Sequence, residues 1–219
     1  MQIQYPKTLV AQVQAATKQK RLEGFVPGEG AAHPQVMLVG EAPGRTEIKT
    51  GHPFVGASGK ELTKLLALAG LTREEVYITS VVRSRPFSIR QVMDKMTGQM
   101  IEKRPNRTPT KREVAAFAPL FDWELTTINP EVIIPLGNTA LQRLLGKTAL
   151  IGDLHGQILE QPVLTMINGK YSPGNKCYII VPMYHPAAYL YARRLEPTIK
   201  ADWQGFGQWL NRNLKEKSL

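Results

Sequence analysis

Residues 35–66 read QVMLVGEAPGRTEIKTGHPFVGASGKELTKLL. The run Gln35–Val39 is apolar and shows no polar alternation, the pattern of a strand buried on both faces of a parallel sheet. Two loops rich in glycine and proline follow, GEAPG at 40–44 and GHPFVG at 51–56. Ser58 and Glu61 then stand at capping-box spacing. Leu62, Leu65, Leu66 and Ala69 fall at helical intervals until Gly70 stops the helix. Strand, loops and helix in this order predict an α/β unit whose ligand-binding loops leave the carboxyl end of the strand.

The pattern repeats outward. Apolar, β-branched runs recur at 75–82 (EVYITSVV), 130–137 (PEVIIPLG) and 177–184 (CYIIVPMY). Between them, Thr110 and Glu113 form a second capping box, opening a helix through about Thr127 that Pro119 is expected to kink. Asn138–Leu145 reads as a shorter helix ended by Gly146. Ile199, Trp203, Phe206 and Leu210 mark a closing amphipathic helix. The expected architecture is α/β, a three-layer α/β/α sandwich around a central four-stranded parallel sheet, as one domain over residues 1–219. Phe87–Pro109 lacks periodicity and carries Lys103, Arg104 and Arg107, so a mobile basic insertion is expected there.

Composition narrows the partners. Lys and Arg number 28 against 18 Asp and Glu, a formal charge of +10, which favours a polyanion such as nucleic acid or an anionic membrane surface. The N-terminal segment has no apolar core of signal-peptide length, and no segment approaches the ~20 apolar residues that span a bilayer, so a cytoplasmic location without membrane attachment is expected. The single cysteine, Cys177, forms neither an internal disulfide nor a multi-thiolate metal site, and its place in KCYIIVP reads as a buried strand position.

Glu41, Ser80, the Gly137–Asn138 turn and His185 each follow a strand immediately, so four loops should converge on one sheet edge. Taken singly, GEAPG reads equally as a tight turn, and His52–Pro53 and His185–Pro186 as turn residues. The stretch 54–61 also nearly spells a phosphate-binding loop, but Phe54 occupies the slot of the first glycine and Glu61 that of the hydroxyl residue. The dinucleotide pattern fails as well, which disfavours a nucleotide-triphosphate enzyme. A helix start at Ser58–Lys60 suited to a single backbone phosphate survives.

GEAPGRTEIKTGHPFVGASGKELTKLL, VYITSVVRSRP, PEVIIPLGNTAL and VPMYHPAAYL, in this order, strongly resemble the family 4 uracil-DNA glycosylases. The resemblance runs from VPGEG at 26–30 to the C-terminal helix. It implies excision of uracil from uracil-containing DNA by a monomer that flips the base out of the duplex. On this resemblance, Glu41 is the catalytic acid of the first motif, which positions or deprotonates the attacking water and offsets charge on the sugar. His185 is the catalytic histidine that bonds uracil O2. Gly40 and Ala42 would contact the base edge, and Phe54 would stack on the base, which is worth about 1–3 kcal/mol. For DNA binding, Ser58 and Lys60 would hold a phosphate, and Ala187, Ala188 and Tyr189 would enter the helix. Arg193 and Arg194 either anchor that loop to the backbone or form an ordinary solvated pair.

Two positions depart from the family pattern. Its iron–sulfur cysteines would fall near Val13 and Ala16 and at Ser84, where no thiolate exists, so no cluster, no metal and no other cofactor is expected. Ser80 stands where the family has an asparagine. One hydroxyl replaces an amide that both donates and accepts, so selectivity could extend to other deaminated bases, or Asn138 or His155 could supply the second contact. The competing reading is a DNA-binding protein of the same fold with weak or no excision.

Overall fold

The computed structural model describes residues 1–215, apart from the side chains at 189, 190, 214 and 215. An N-terminal helix α1 (Lys7–Thr17) leads through the two-residue strands β1 (Leu22–Glu23) and β2 (Glu29–Gly30) to β3 (Val36–Gly40). The loops after β3 hold a short helix α2 (Arg45–Thr50) and lead into α3 (Ala57–Leu68). Next come β4 (Tyr77–Ser80), β5 (Arg85–Pro86), the pair β6 (Arg90–Met93) and β7 (Met100–Lys103), and the long helix α4 (Lys111–Ile128). The last part of the chain runs β8 (Val132–Pro135), α5 (Asn138–Leu145), α6 (Ile151–Leu154), β9 (Leu159–Ile167), β10 (Lys170–Ile180), α7 (Ala188–Tyr191) and α8 (Glu196–Leu210).

The central sheet has the order β2-β4-β3-β8-β10-β9. Its four inner strands are parallel, as the apolar runs predict. The sheet is nevertheless six-stranded, because β2 and β9 add antiparallel edges. The β9–β10 hairpin turns at Asn168 (φ 50°) and Gly169 (φ 77°), the left-handed pair that a two-residue hairpin loop requires. β3 is buried throughout, and its side chains alternate between two cores. Val36 and Leu38 meet Leu62, Leu66, Ile134 and Trp203 beneath α3 and α8, whereas Met37 and Val39 meet Phe117, Phe121 and Leu144 beneath α4 and α5. Helices on both faces complete the α/β/α layering.

Three local expectations change. Cys177 lies on β10, yet it is exposed, because the strand runs out past the core as a ribbon with β9. Residues 90–103 form an ordered antiparallel hairpin whose turn is closed by Asp94, the carboxylate accepting from the amides of Met96 (2.8 Å) and Thr97 (3.1 Å). The cap of α3 is Gly56, whose carbonyl accepts from the amides of Gly59 (3.0 Å) and Lys60 (3.1 Å), so Ser58 is the second helical residue. The Thr110–Glu113 capping box of α4 forms as expected, with Glu113 N–H donating to Thr110 Oγ1 at 3.2 Å, and the helix continues through Pro119. No helix among the described residues is long and apolar enough to cross a membrane.

One buried carboxylate joins the N-terminal segment, β4 and α4. Glu124, fully buried, accepts from the hydroxyls of Tyr5 (2.5 Å), Tyr77 (2.8 Å) and Thr79 (3.0 Å) and pairs with the buried Arg83 guanidinium. Removing one member strands the opposite charge in the interior. Glu124→Ala should therefore lose about 3–5 kcal/mol of stability, read from the midpoint of urea unfolding, whereas an exposed substitution such as Lys60→Ala should leave the midpoint in place.

Candidate active site

The register of the parallel strands brings their carboxyl ends together. Gly40 pairs with Ser80 and Val39 with Pro135, and a bridge joins Leu136 to Met183. The residues that follow these ends, Glu41, Asn138 and His185, line one cavity of about 880 Å³ together with Ser80, Phe54 and Ala42. This is the convergence that the positions of the motifs predict.

Phe54 forms one wall. It is a non-glycine residue with φ 52°, a conformation that costs on the order of 1–3 kcal/mol and needs support from its surroundings. Arg73 supplies that support, donating from Nη2 to the Pro53 carbonyl (2.9 Å) and from Nη1 to the Phe54 carbonyl (3.0 Å). Two glycines make room. A Cβ on Gly40 would stand 2.6 Å from the Phe54 ring, and one on Gly59 would overlap the Phe54 carbonyl. Glu47 then joins the two loops, accepting from the amide of Gly44 at one oxygen (3.0 Å) and from Val55 (3.2 Å) and Gly56 (2.8 Å) at the other. The Phe54 ring lies 5.8 Å from the His185 ring, inclined by 32°.

Glu41 and His185 are both shifted toward neutrality. Burial raises the Glu41 carboxyl above its ordinary value, partly offset by hydrogen bonds from the Thr139 and Thr108 hydroxyls. Thr139 donates to Glu41 Oε2 at 2.5 Å. Burial pushes the His185 imidazole below its ordinary value, so the ring is neutral at pH 7. The Ala187 amide donates to His185 Nδ1 at 3.2 Å, which leaves the proton on Nε2. The site thus offers a desolvated carboxylate, a neutral imidazole donor and an aromatic surface around one cavity.

Ser80 is buried at the cavity wall, 6 % exposed. Asn138 also lines the cavity, but the Ile151 amide donates to its Oδ1 at 2.8 Å, so only its NH2 group remains available to a ligand. His155 does not line the cavity. Its Nδ1 pairs with Asp202 at 2.8 Å and its ring rests 4.8 Å from that of Tyr184. Of the residues expected at DNA, Ser58 and Ala187 reach the cavity rim, and Lys60, Arg193 and Arg194 are exposed nearby in the chain. Ala188 instead packs against the core. The side chain of Tyr189 lies outside the described residues; Tyr191, two residues on, lines the cavity and is 90 % exposed. Thr139, Thr108, Glu47 and Arg73 have no motif of their own, and only the folded chain reveals their roles.

The positions expected to correspond to cluster cysteines do not suit an iron–sulfur cluster. Val13 is buried in the core with Phe117, Ala16 is exposed, and Ser84 is a buried hydroxyl. None provides a thiolate. Among the described residues, no group of three or more His, Cys, Asp or Glu is placed to hold a metal ion.

The family model of the uracil DNA glycosylase superfamily matches residues 27–207, which contain Glu41, Phe54, Ser80, Asn138 and His185. The chain belongs to the uracil-DNA glycosylase superfamily. It is 36 % identical over 193 residues to the type-4 uracil-DNA glycosylase of Archaeoglobus fulgidus, covering 86 % of this chain and 83 % of that protein. The type-4 uracil-DNA glycosylase of Sulfurisphaera tokodaii is 35 % identical over 183 residues, or 82 % of this chain and 71 % of that one. That of Thermotoga maritima is 36 % identical over 172 residues, or 78 % and 74 %. Within the superfamily frame, the Glu41 carboxylate has a defined set of hydrogen-bond partners. Thr139→Val removes a bond that lowers the Glu41 pKa, so the acidic limb of the pH–excision profile should move to higher pH, while Thr63→Val, away from the site, should leave the limb unmoved.

Proposed function

We propose that the protein hydrolyses the N-glycosidic bond of uracil in DNA, holding the flipped base in the 40–54 cavity. Membership of the superfamily supports this reading, and one observation carries the chemistry: Glu41 and His185 face a single cavity floored by Phe54. Phe54 replaces the stacking lost when the base leaves the duplex. As the C1′–N1 bond breaks, its electron pair moves onto uracil, and His185 Nε2–H stabilises the charge that develops at O2. The sugar becomes positive. Glu41, ionised in a desolvated site, offsets that charge and takes the proton of the water whose oxygen bonds to C1′. Ser80 accepts from uracil N3–H through its hydroxyl oxygen, and the Asn138 NH2 donates to O4. No step requires a cluster, and we propose that the protein works without one.

The sign of the Glu41 shift adds a second readout. Its folded-state pKa is raised, so its contribution to stability is present at low pH and is lost as pH rises through that value. At pH 7 the ionised form is a cost to the fold. Glu41→Gln should lower excision of uracil from an oligonucleotide by about 10²–10⁴-fold, retain DNA binding and leave thermal stability equal or higher. An unchanged excision rate would remove Glu41 from the mechanism. Binding of uracil DNA by the wild-type protein without an alkali-labile abasic site would favour the DNA-binding protein without excision.

Ser80→Asn restores an amide at the base-reading position. It should raise the ratio of uracil excision to excision of other deaminated bases by about tenfold, measured on matched oligonucleotides under single turnover. An unchanged ratio would show that Ser80 does not set selectivity.

A further inference from the structure

A second cavity lies against the β6–β7 hairpin, and its walls include Arg45, Arg90, Lys103, Arg104 and Glu102. The one carboxylate in this group is already engaged, accepting from Arg104 Nε at 2.7 Å. Arg90 and Lys103 are directly opposed in the hairpin register, and both are exposed. Like charges at opposed positions repel and destabilise a two-stranded ribbon, which is marginal in isolation. The hairpin is instead held at its root. A bridge joins Phe87 to Asn106, the Ser88 amide donates to the Pro105 carbonyl (3.0 Å), and the Arg107 guanidinium pairs with Glu113 (2.7 Å). Arg45 connects this root to the base pocket: it lines both cavities and donates from Nη2 to the Arg104 carbonyl at 2.9 Å.

A rigidly rooted ribbon that opposes two cations and continues a cationic rim toward a base pocket fits an anionic polymer that occupies the pocket at the same time. We propose that the Arg90–Lys103 face of the hairpin is a phosphate clamp, binding the DNA backbone that flanks the nucleotide held in the pocket. The clamp rests on the glycosylase reading for its ligand. Phosphates between Arg90 and Lys103 relieve the repulsion across the register, and Arg45 places the clamp in line with the 40–44 loop that carries Glu41.

The test is salt titration of duplex binding by the full chain, with and without uracil, beside single-turnover excision at saturating DNA. Arg90→Ala combined with Lys103→Ala should reduce the slope of log K against log salt by about 2, near 0.9 per phosphate contact. Affinity at low salt should weaken roughly tenfold. Excision at saturating DNA should stay within about twofold of wild type. Met93→Ser with Met100→Ser alters the opposite face and should leave the slope as it is. An unchanged slope in the Arg90/Lys103 variant, or an equal loss in the methionine variant, would overturn the clamp. A wild type that excises nothing while the slope difference persists on unmodified duplex would instead overturn the glycosylase reading and leave the clamp standing.

Discussion

The Phe54 ring sits so close to Gly40 that a single added carbon would stand 2.6 Å from it, and the rest of the pocket is arranged around this contact. A ring pressed against the end of β3 requires left-handed backbone at Phe54, a glycine where α3 passes the Phe54 carbonyl, and a guanidinium to hold that carbonyl. It also fixes the distance between the aromatic wall and His185. The apparent failure of the phosphate-loop pattern therefore has a positive cause: the slot for a first glycine is filled by the residue that makes the pocket flat and apolar.

That apolar wall sets the electrostatics. Burial raises Glu41 and lowers His185, which disfavours the charged form of each. For His185 this suits the role proposed above, because a neutral imidazole with its proton on Nε2 donates toward developing charge without a strong ion pair in the ground state. For Glu41 it does not, because the mechanism proposed above needs the acid ionised to offset positive charge on the sugar. The hydroxyls of Thr139 and Thr108 favour the carboxylate and offset part of the burial effect, which still leaves Glu41 raised. In a low-dielectric cavity the charge then acts on the sugar with little screening.

The buried parallel strands were legible because an unalternating apolar run has few other folded uses, and the loops after Val39, Thr79, Leu136 and Tyr184 converge because register leaves them no alternative. The edge strands were harder. β2 has two residues and no pattern, but β9 and β10 flank an Asn168–Gly169 pair that signals a hairpin, and mixed polarity in TMINGKYSPGNK hid its arms. The exposure of Cys177 has the same cause, since the strand begins earlier than its apolar part and leaves the thiol in solvent. His155 could not be ranked against Asn138 from sequence, because its partner Asp202 is distant in the chain and the contact exists only after α8 packs.

The N-terminal segment and the hairpin meet at one buried side chain. The N-terminal segment has to be joined to the chain that follows β4. Here Arg85, 2 % exposed, makes that connection as a fork: Nη1 pairs with Glu23 on β1, Nε donates to Asn106 Oδ1 at 2.5 Å, and Nη2 donates to the Arg104 carbonyl. A guanidinium suits the place, since its planar donors reach three partners from one buried position. The Arg104 carbonyl is shared, because Arg45 also donates to it from the rim of the base pocket. A single backbone oxygen thus ties the buried fork, the hairpin root and the 40–44 loop together. The buried arginine therefore also determines where the basic hairpin stands relative to Glu41.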